Sequence, residues 1–180
     1  MGRKLLISFI FTLFSFLGIT QSYLGQTTTT VNFRSEPNTS CDVIDTLFEG
    51  TSLFIISTEK VKGFYHALNI HTNEEGYVHG DYVNLIEEIP QNEESIFTAT
   101  GTTDDEPELV VFNNTNIHMT LKMNDVLYSF SPHEKRTLKL SPGEYSYRAS
   151  SSGVIPYHGK EVVKNGMIYE WEFYIVTVTK

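Results

Sequence analysis

From Val31 onward, apolar residues recur at every second position in short runs, and each run ends at a turn signal before any helical period can build up. "VNFRS" puts Val31 and Phe33 on one side and Asn32 and Arg34 on the other, then stops at Ser35-Glu36-Pro37. "CDVIDTLFEGTSLFIISTE" follows, its apolar positions divided by a turn at Glu49-Gly50, and "GFYHALNIHTNEEGYVHGDYV" supplies two more strands around the polar stretch His71 to Gly76. Runs this short, with no room for crossover helices between them, require antiparallel pairing and predict a small barrel.

The first residues stand outside this pattern. Arg3 and Lys4 precede the apolar run Leu5 to Leu17, which is too short for comfortable membrane spanning and gives way to small and polar residues. This predicts a cleaved export signal over residues 1–25, with the cut after Ser22 or Gly25, and a secreted, periplasmic or cell-envelope product that has no membrane contact once the signal is gone. Removing Arg3 and Lys4 takes the formal charge from −9 to −11. Three basic and ten acidic residues lie between Gln26 and Glu88, against eight basic and seven acidic between Pro107 and Lys180. The first segment therefore lacks the basic face that binding by counterion release needs, which excludes nucleic acid and anionic membrane as its partners. The single cysteine, Cys41, rules out an intramolecular disulfide framework, so packed cores must hold the fold.

The stretch from Glu87 to Glu108 is acidic and rich in Thr, with an apolar pair only at Ile96-Phe97. It reads as a linker over residues 89–106 holding at most one short strand. Residues 107–180 return to strand alternation. Ile117, Met119, Leu121 and Met123 share a face, as do Leu138 with Leu140, and Tyr145 with Tyr147 and Ala149. Ser141-Pro142-Gly143 is a turn, and Asn165-Gly166 between two apolar runs predicts a hairpin. The last run places Met167, Tyr169, Trp171, Phe173 and Ile175 inward. The expected fold is all-β: a barrel over residues 26–88, the linker, and an antiparallel sandwich over residues 107–180.

Four motifs in order, V-N-F-R-S-x-P, D-V-I-x-x-L-x-x-G-T, G-F-Y-x-x-L and E-G-Y-V-H-G-D-Y-V, make Thr30 to about Leu85 resemble the bacterial Src-homology-3-like (SH3b) domain family. One departure is Phe64-Tyr65, where many members carry tryptophan. The resemblance implies a binding module for a peptide or a peptidoglycan-like cell-wall ligand. The closing "GYVHGDYV" is also similar to the end of eukaryotic Src-homology-3 domains, where the tyrosine before the last strand lines the peptide groove; by position that residue is Tyr82, with Tyr65, Tyr77 and His79 as further candidates for the same surface. The carboxyl-terminal segment is similar in style to small prealbumin-like or PEGA-type extracellular sandwiches, which implies an accessory domain.

No G-x-S-x-G, phosphate-binding glycine loop or H-E-x-x-H is present, and the six histidines are scattered without metal-ligand spacing. The expectation is an exported, non-enzymatic binding module with no cofactor and no metal. The alternative is a structural or assembly protein of the envelope that contacts only other proteins.

Overall fold

The computed structural model describes residues 21–175, so the segment read as an export signal lies outside the described residues up to position 20. The first seven strands form one sheet: β1 (Ser22–Thr27), β2 (Val31–Arg34), β3 (Val43–Leu47), β4 (Ser52–Ile55), β5 (Phe64–Asn69), β6 (Glu74–His79) and β7 (Val83–Ile89), in the order β3-β2-β6-β5-β4-β1-β7. Leu47 from one edge strand and Val83 from the other pack in the same core with Phe33, Leu53, Ile55, Ala67 and Val78, so the sheet rolls around its own interior. Every pairing in it is antiparallel, as the short runs require.

β1 is built from residues at the edge of the expected signal. Tyr23 pairs with Ile55 on β4 and Glu88 on β7, and Leu24 packs beside Phe54, Leu68 and Ile70. A cut after Gly25 would remove four of the six residues of this strand, which is paired on both sides.

The remaining eight strands are β8 (Thr98–Thr102), β9 (Glu108–Asn113), β10 (Met119–Met123), β11 (Val126–Phe130), β12 (Lys135–Lys139), β13 (Gly143–Ser151), β14 (Val154–Val163) and β15 (Met167–Phe173). They form two four-stranded sheets, β11-β10-β13-β14 and β12-β9-β15-β8, packed over one core of Leu109, Val111, Met119, Leu121, Met123, Phe130, Tyr147 and Trp171. The pairings are antiparallel except between β9 and β15, which run parallel. Asn165-Gly166 does not close a hairpin. Gly166 takes φ +68 to turn the chain, but β14 and β15 lie in different sheets, and the turn carries the chain across the sandwich, tied down where Thr103 N–H donates to Gly166 O (2.9 Å). Tight turns that do close hairpins use Asn124 (φ 50) between β10 and β11 and Gly153 (φ +79) between β13 and β14.

Residues 89–106, read above as an acidic linker, carry β8 and send Phe97 into the sandwich core. Their backbone is anchored by the buried Glu161 carboxylate, which accepts hydrogen bonds from Ser95 Oγ (3.0 Å), Ile96 N–H and Phe97 N–H (3.2 Å). Asn92 N–H donates to His158 O (2.8 Å), so the segment crosses β14 at Gly159; a Cβ there would stand 2.6 Å from Asn92 O and 2.8 Å from Tyr147 Oη, which is why only glycine fits.

The two units are also joined directly. Glu75, on β6, receives hydrogen bonds from His66 Nε2 (2.8 Å), from Lys122 Nζ on β10 (2.8 Å) and from Arg148 Nη2 on β13. Burial alone would raise the Glu75 carboxyl, but the bond from His66, the Arg148 charge and the bonds from Lys122 and Arg148 outweigh it and hold the group well below the usual carboxylate range. Around this ion cluster, Asn73 Nδ2 donates to Thr120 Oγ1 (3.0 Å) and Gly153 N–H to Ile70 O (2.7 Å). An apolar patch completes the junction: Phe54, Leu68 and Ile70 cluster on the outer face of the rolled sheet, and the His158 ring meets Phe54 edge-on at 5.2 Å while its Nε2 lies 3.2 Å from Ile89 O. Desolvation, followed by the Arg148 charge, lowers the His158 pKa against the raising effect of that carbonyl, so this imidazole is held neutral.

Three outcomes follow from this packing. Any mature amino terminus, determined by mass spectrometry, should lie at or before Ser22, because β1 needs those residues; a mature chain starting at Gln26 would contradict the pairing. Phe97→Ala should cost roughly 3–5 kcal/mol by chemical denaturation, as for any large core aromatic, whereas a passive linker would show no change. Acid should weaken the junction with a defined sign. Both groups have folded pKa values below their unfolded ones. The His158 contribution is complete above its unfolded value of 6.5 and is lost as pH falls below it, and that of Glu75 is complete above 4.5 and is lost at more acid pH. Melting temperature should therefore fall from about pH 7.5 to 5.5 in the wild type, with a smaller fall in His158→Asn, and a flat profile would contradict the buried imidazole.

Candidate functional site

Strand alternation sorts the sequence-derived candidates onto two faces. Phe64 pairs with His79 and His66 with Tyr77, all directed out of the rolled sheet, whereas Tyr65 pairs with Val78 and is directed inward. Tyr65 is only 7% exposed, sits in the barrel core and is capped by Lys60 Nζ, 4.9 Å above its ring. The structure thus removes Tyr65 from the surface on which the other three candidates lie.

Those three form a row. Tyr82 ends the 3-10 turn Gly80–Tyr82, is 44% exposed and tilts its ring toward His79 at 5.6 Å. His79 caps the same turn, its Nδ1 accepting from Asp81 N–H (3.4 Å), and its ring rests edge-on against the buried Phe64 at 5.0 Å. Two residues back along β6, on the same face, Tyr77 is half-buried and stacks on His66 with ring centroids 4.8 Å apart and planes 16° from parallel. The row Tyr82, His79, Tyr77, His66 thus presents rigid rings with polar tips, a surface suited to stacking on a peptide or sugar while hydrogen-bonding at its edges. His66 and Phe64 were not among the sequence candidates. Their signal was the alternation in "GFYHALN", which puts Phe64 and His66 opposite Tyr65 once the pairing with β6 is known.

The row leads into a cleft of about 310 Å³ between the two units. Phe54, Ile56 and His66 form its barrel wall; Lys122, Arg148, His158 and Lys160 contribute the sandwich wall, with Tyr147 at the back. The Tyr147 hydroxyl is pushed up to about 12 by burial, partly offset by the hydrogen bond from Asn92 Nδ2 (3.2 Å), so it enters the cleft as a neutral group. A second concavity of about 610 Å³ lies between β14 and β15, lined by Ile96, Ile155, Tyr157, Trp171, Tyr174 and Ile175 among others. Among the described residues, no three His, Cys, Asp or Glu side chains come together as a metal-ligand set, and no helix is long and apolar enough to cross a membrane. Cys41 is a free, half-buried loop thiol with its Sγ 3.1 Å from the Glu36 and Asn38 carbonyl oxygens.

No curated protein matches the chain. Among solved structures it is similar to NlpC1 from Trichomonas vaginalis, at 15% identity and a TM-score of 0.32 over 83% of this chain and 46% of that one. It is similar also to NlpC2 from the same organism, at 17% identity and a TM-score of 0.31 over 84% of this chain and 49% of that one. The chain spans about half the length of these structures. Its residues 29–84 match the family model described as the bacterial SH3 domain, a span that runs from the start of β2 to the start of β7 and contains the whole aromatic row. Residues 29–84 are therefore similar to the bacterial SH3 domain family.

Proposed function

We propose that the protein is an exported, non-enzymatic binding module of the cell envelope that holds a peptide or peptidoglycan-like ligand on the outward face of its SH3 barrel. The observation that carries this reading is the row Tyr82, His79, Tyr77 and His66, partly exposed rings aligned on one face of a domain whose family members bind wall ligands. Its members are fixed from below: Phe64 supports His79, and β5 holds His66 against Tyr77, so binding does not require ordering a loop. The acidic charge of the barrel segment favours a neutral or cationic ligand portion along the row and disfavours nucleic acid. The sandwich serves as an accessory unit that fixes one end of the row.

A second reading, an assembly protein that contacts only other envelope proteins, draws on the sandwich groove. Ile155, Tyr157, Tyr174 and Ile175 are exposed together there, more apolar surface than a solvated sandwich needs.

Binding to purified cell-wall sacculi separates the two. Tyr82→Ala should weaken sacculus binding by about 1–3 kcal/mol, the truncation cost of an interface aromatic, with the melting temperature nearly unchanged because the ring is half in solvent. Sacculus binding that survives Tyr82→Ala and His79→Ala in well-folded protein would contradict the row as the site. No sacculus binding by the wild type, with capture of an envelope protein that Tyr157→Ala abolishes, would favour the second reading.

A further inference from the structure

The cleft between barrel and sandwich has a charge arrangement that its role in joining the units does not use up. Two permanent cations, Arg148 and Lys122, share the single carboxylate of Glu75, and no other carboxylate of the described residues forms an ion pair with either. Arg148 is the more constrained of the two. Its side chain is 10% exposed, it engages Glu75 through Nη2, and its Nε is buried without a hydrogen-bond partner. A guanidinium taken this far out of water is costly unless matched by acceptors, so half of one carboxylate is a poor complement for it. At the mouth Lys160 adds a third cation. Among the described residues its partner is Glu144 at 3.4 Å, and both are about two-thirds exposed, a pair weak enough for a ligand to displace. Asp125 is the carboxylate in the lining itself. With Glu144 in place the three cations are formally balanced by Glu75, Asp125 and Glu144; a ligand that displaces Glu144 from Lys160 meets three positive charges against two negative, an excess of one that suits a monoanion better than a dianion.

The remaining walls define the rest of the ligand. Phe54 and Ile56 offer an apolar side on the barrel, and Tyr147 and His158, both neutral, offer polar edges opposite. The cleft begins at His66, where the aromatic row ends.

We propose that this cleft binds the carboxylate of an organic acid or of a peptide's carboxyl terminus, between the Arg148 guanidinium, Lys122 and Lys160, with the ligand's apolar portion against Phe54 and Ile56. The planar guanidinium can fork onto a carboxylate, and here Glu75 takes only Nη2, leaving donors of Arg148 uncommitted. The site draws its cations from the sandwich and its apolar wall from the barrel, so a ligand here also bridges the two units. It stands independently of the wall-ligand reading, since nothing in its chemistry requires a wall polymer.

The test is isothermal titration of the whole exported protein with acetyl-alanyl-alanine, with the same dipeptide as its terminal amide, and with inorganic phosphate. The free acid should bind, weaken as sodium chloride is raised, and lose about tenfold in affinity in Lys122→Gln, which leaves Arg148 to hold Glu75. Lys160→Gln, at the exposed mouth, should lose about two- to threefold without affecting the fold. Equal binding of the amide, binding of phosphate alone, no binding of any of the three, or unchanged affinity in a folded Lys122→Gln would each overturn the site. Loss of sacculus binding with carboxylate binding retained would sink the wall-ligand reading and leave this one standing.

Discussion

The Glu75 carboxylate fixes the relation between the two halves of this protein. It belongs to the barrel, yet two of its three donors, Lys122 and Arg148, come from the sandwich. Partly buried charge of this kind stabilises little when set against a well-packed apolar alternative, but it is costly to break, because removing one partner strands the others out of water. Glu75 therefore acts chiefly on geometry. It sets the β5–β6 hairpin against β10 and β13, and the hydrogen bonds of Asn73 and Gly153 fall into register around it. The segmental charge difference in the sequence, acidic before residue 88 and balanced after 107, is expressed physically at this contact.

The aromatic row and the apolar wall of the cleft lie on the barrel face that this junction partly covers, while the cations of the cleft come from the sandwich. β5 and β6 turn Phe64, His66, Leu68, Glu75, Tyr77 and His79 outward. At one end Leu68 and Glu75 are consumed by docking; at the other Tyr82 and His79 remain in contact with solvent. The aromatic row and the cleft thus meet at His66, the row left free by the sandwich and the cleft built from His66, Phe54 and Ile56 of the barrel together with the sandwich wall. A ligand lying along β6 would pass from stacking surface to charged cleft without leaving the protein.

Much of this was legible in the residues. Period-two alternation with frequent turns is enough for an all-β chain, and the motif order from "VNFRS" to "GYVHGDYV" is enough for the family of residues 29–84. What the residues did not disclose depends on long-range pairing. Asn-Gly at 165–166 obeys local turn chemistry, but β15 finds β8 and β9 rather than β14, so the same turn carries the chain between sheets. The acidic stretch before β8 looked like a linker because its composition is polar, while one buried carboxylate, Glu161, satisfies the backbone that allows Phe97 to enter the core. Tyr65 looked equivalent to Tyr77 until the pairing of β5 with β6 assigned opposite faces. A clue did exist for the junction: Leu53, Phe54, Ile55 and Ile56 are apolar without alternation, the pattern of a strand covered on both sides, and β4 does have the barrel core on one face and the Phe54–His158 contact on the other.

The central claim is that one continuous face, from Tyr82 through Tyr77 and His66 to the Arg148 cleft, receives the ligand. The most direct measurement is a map of backbone amide shifts of the intact protein by nuclear magnetic resonance during titration with soluble cell-wall peptide fragments. The account predicts shifts that run along β6 and the Gly80–Tyr82 turn and continue into β10 and β13 around Lys122 and Arg148, while β11 and β12 stay silent. Shifts confined to the sandwich groove at Ile155, Tyr157 and Trp171, with β6 unaffected, would contradict it.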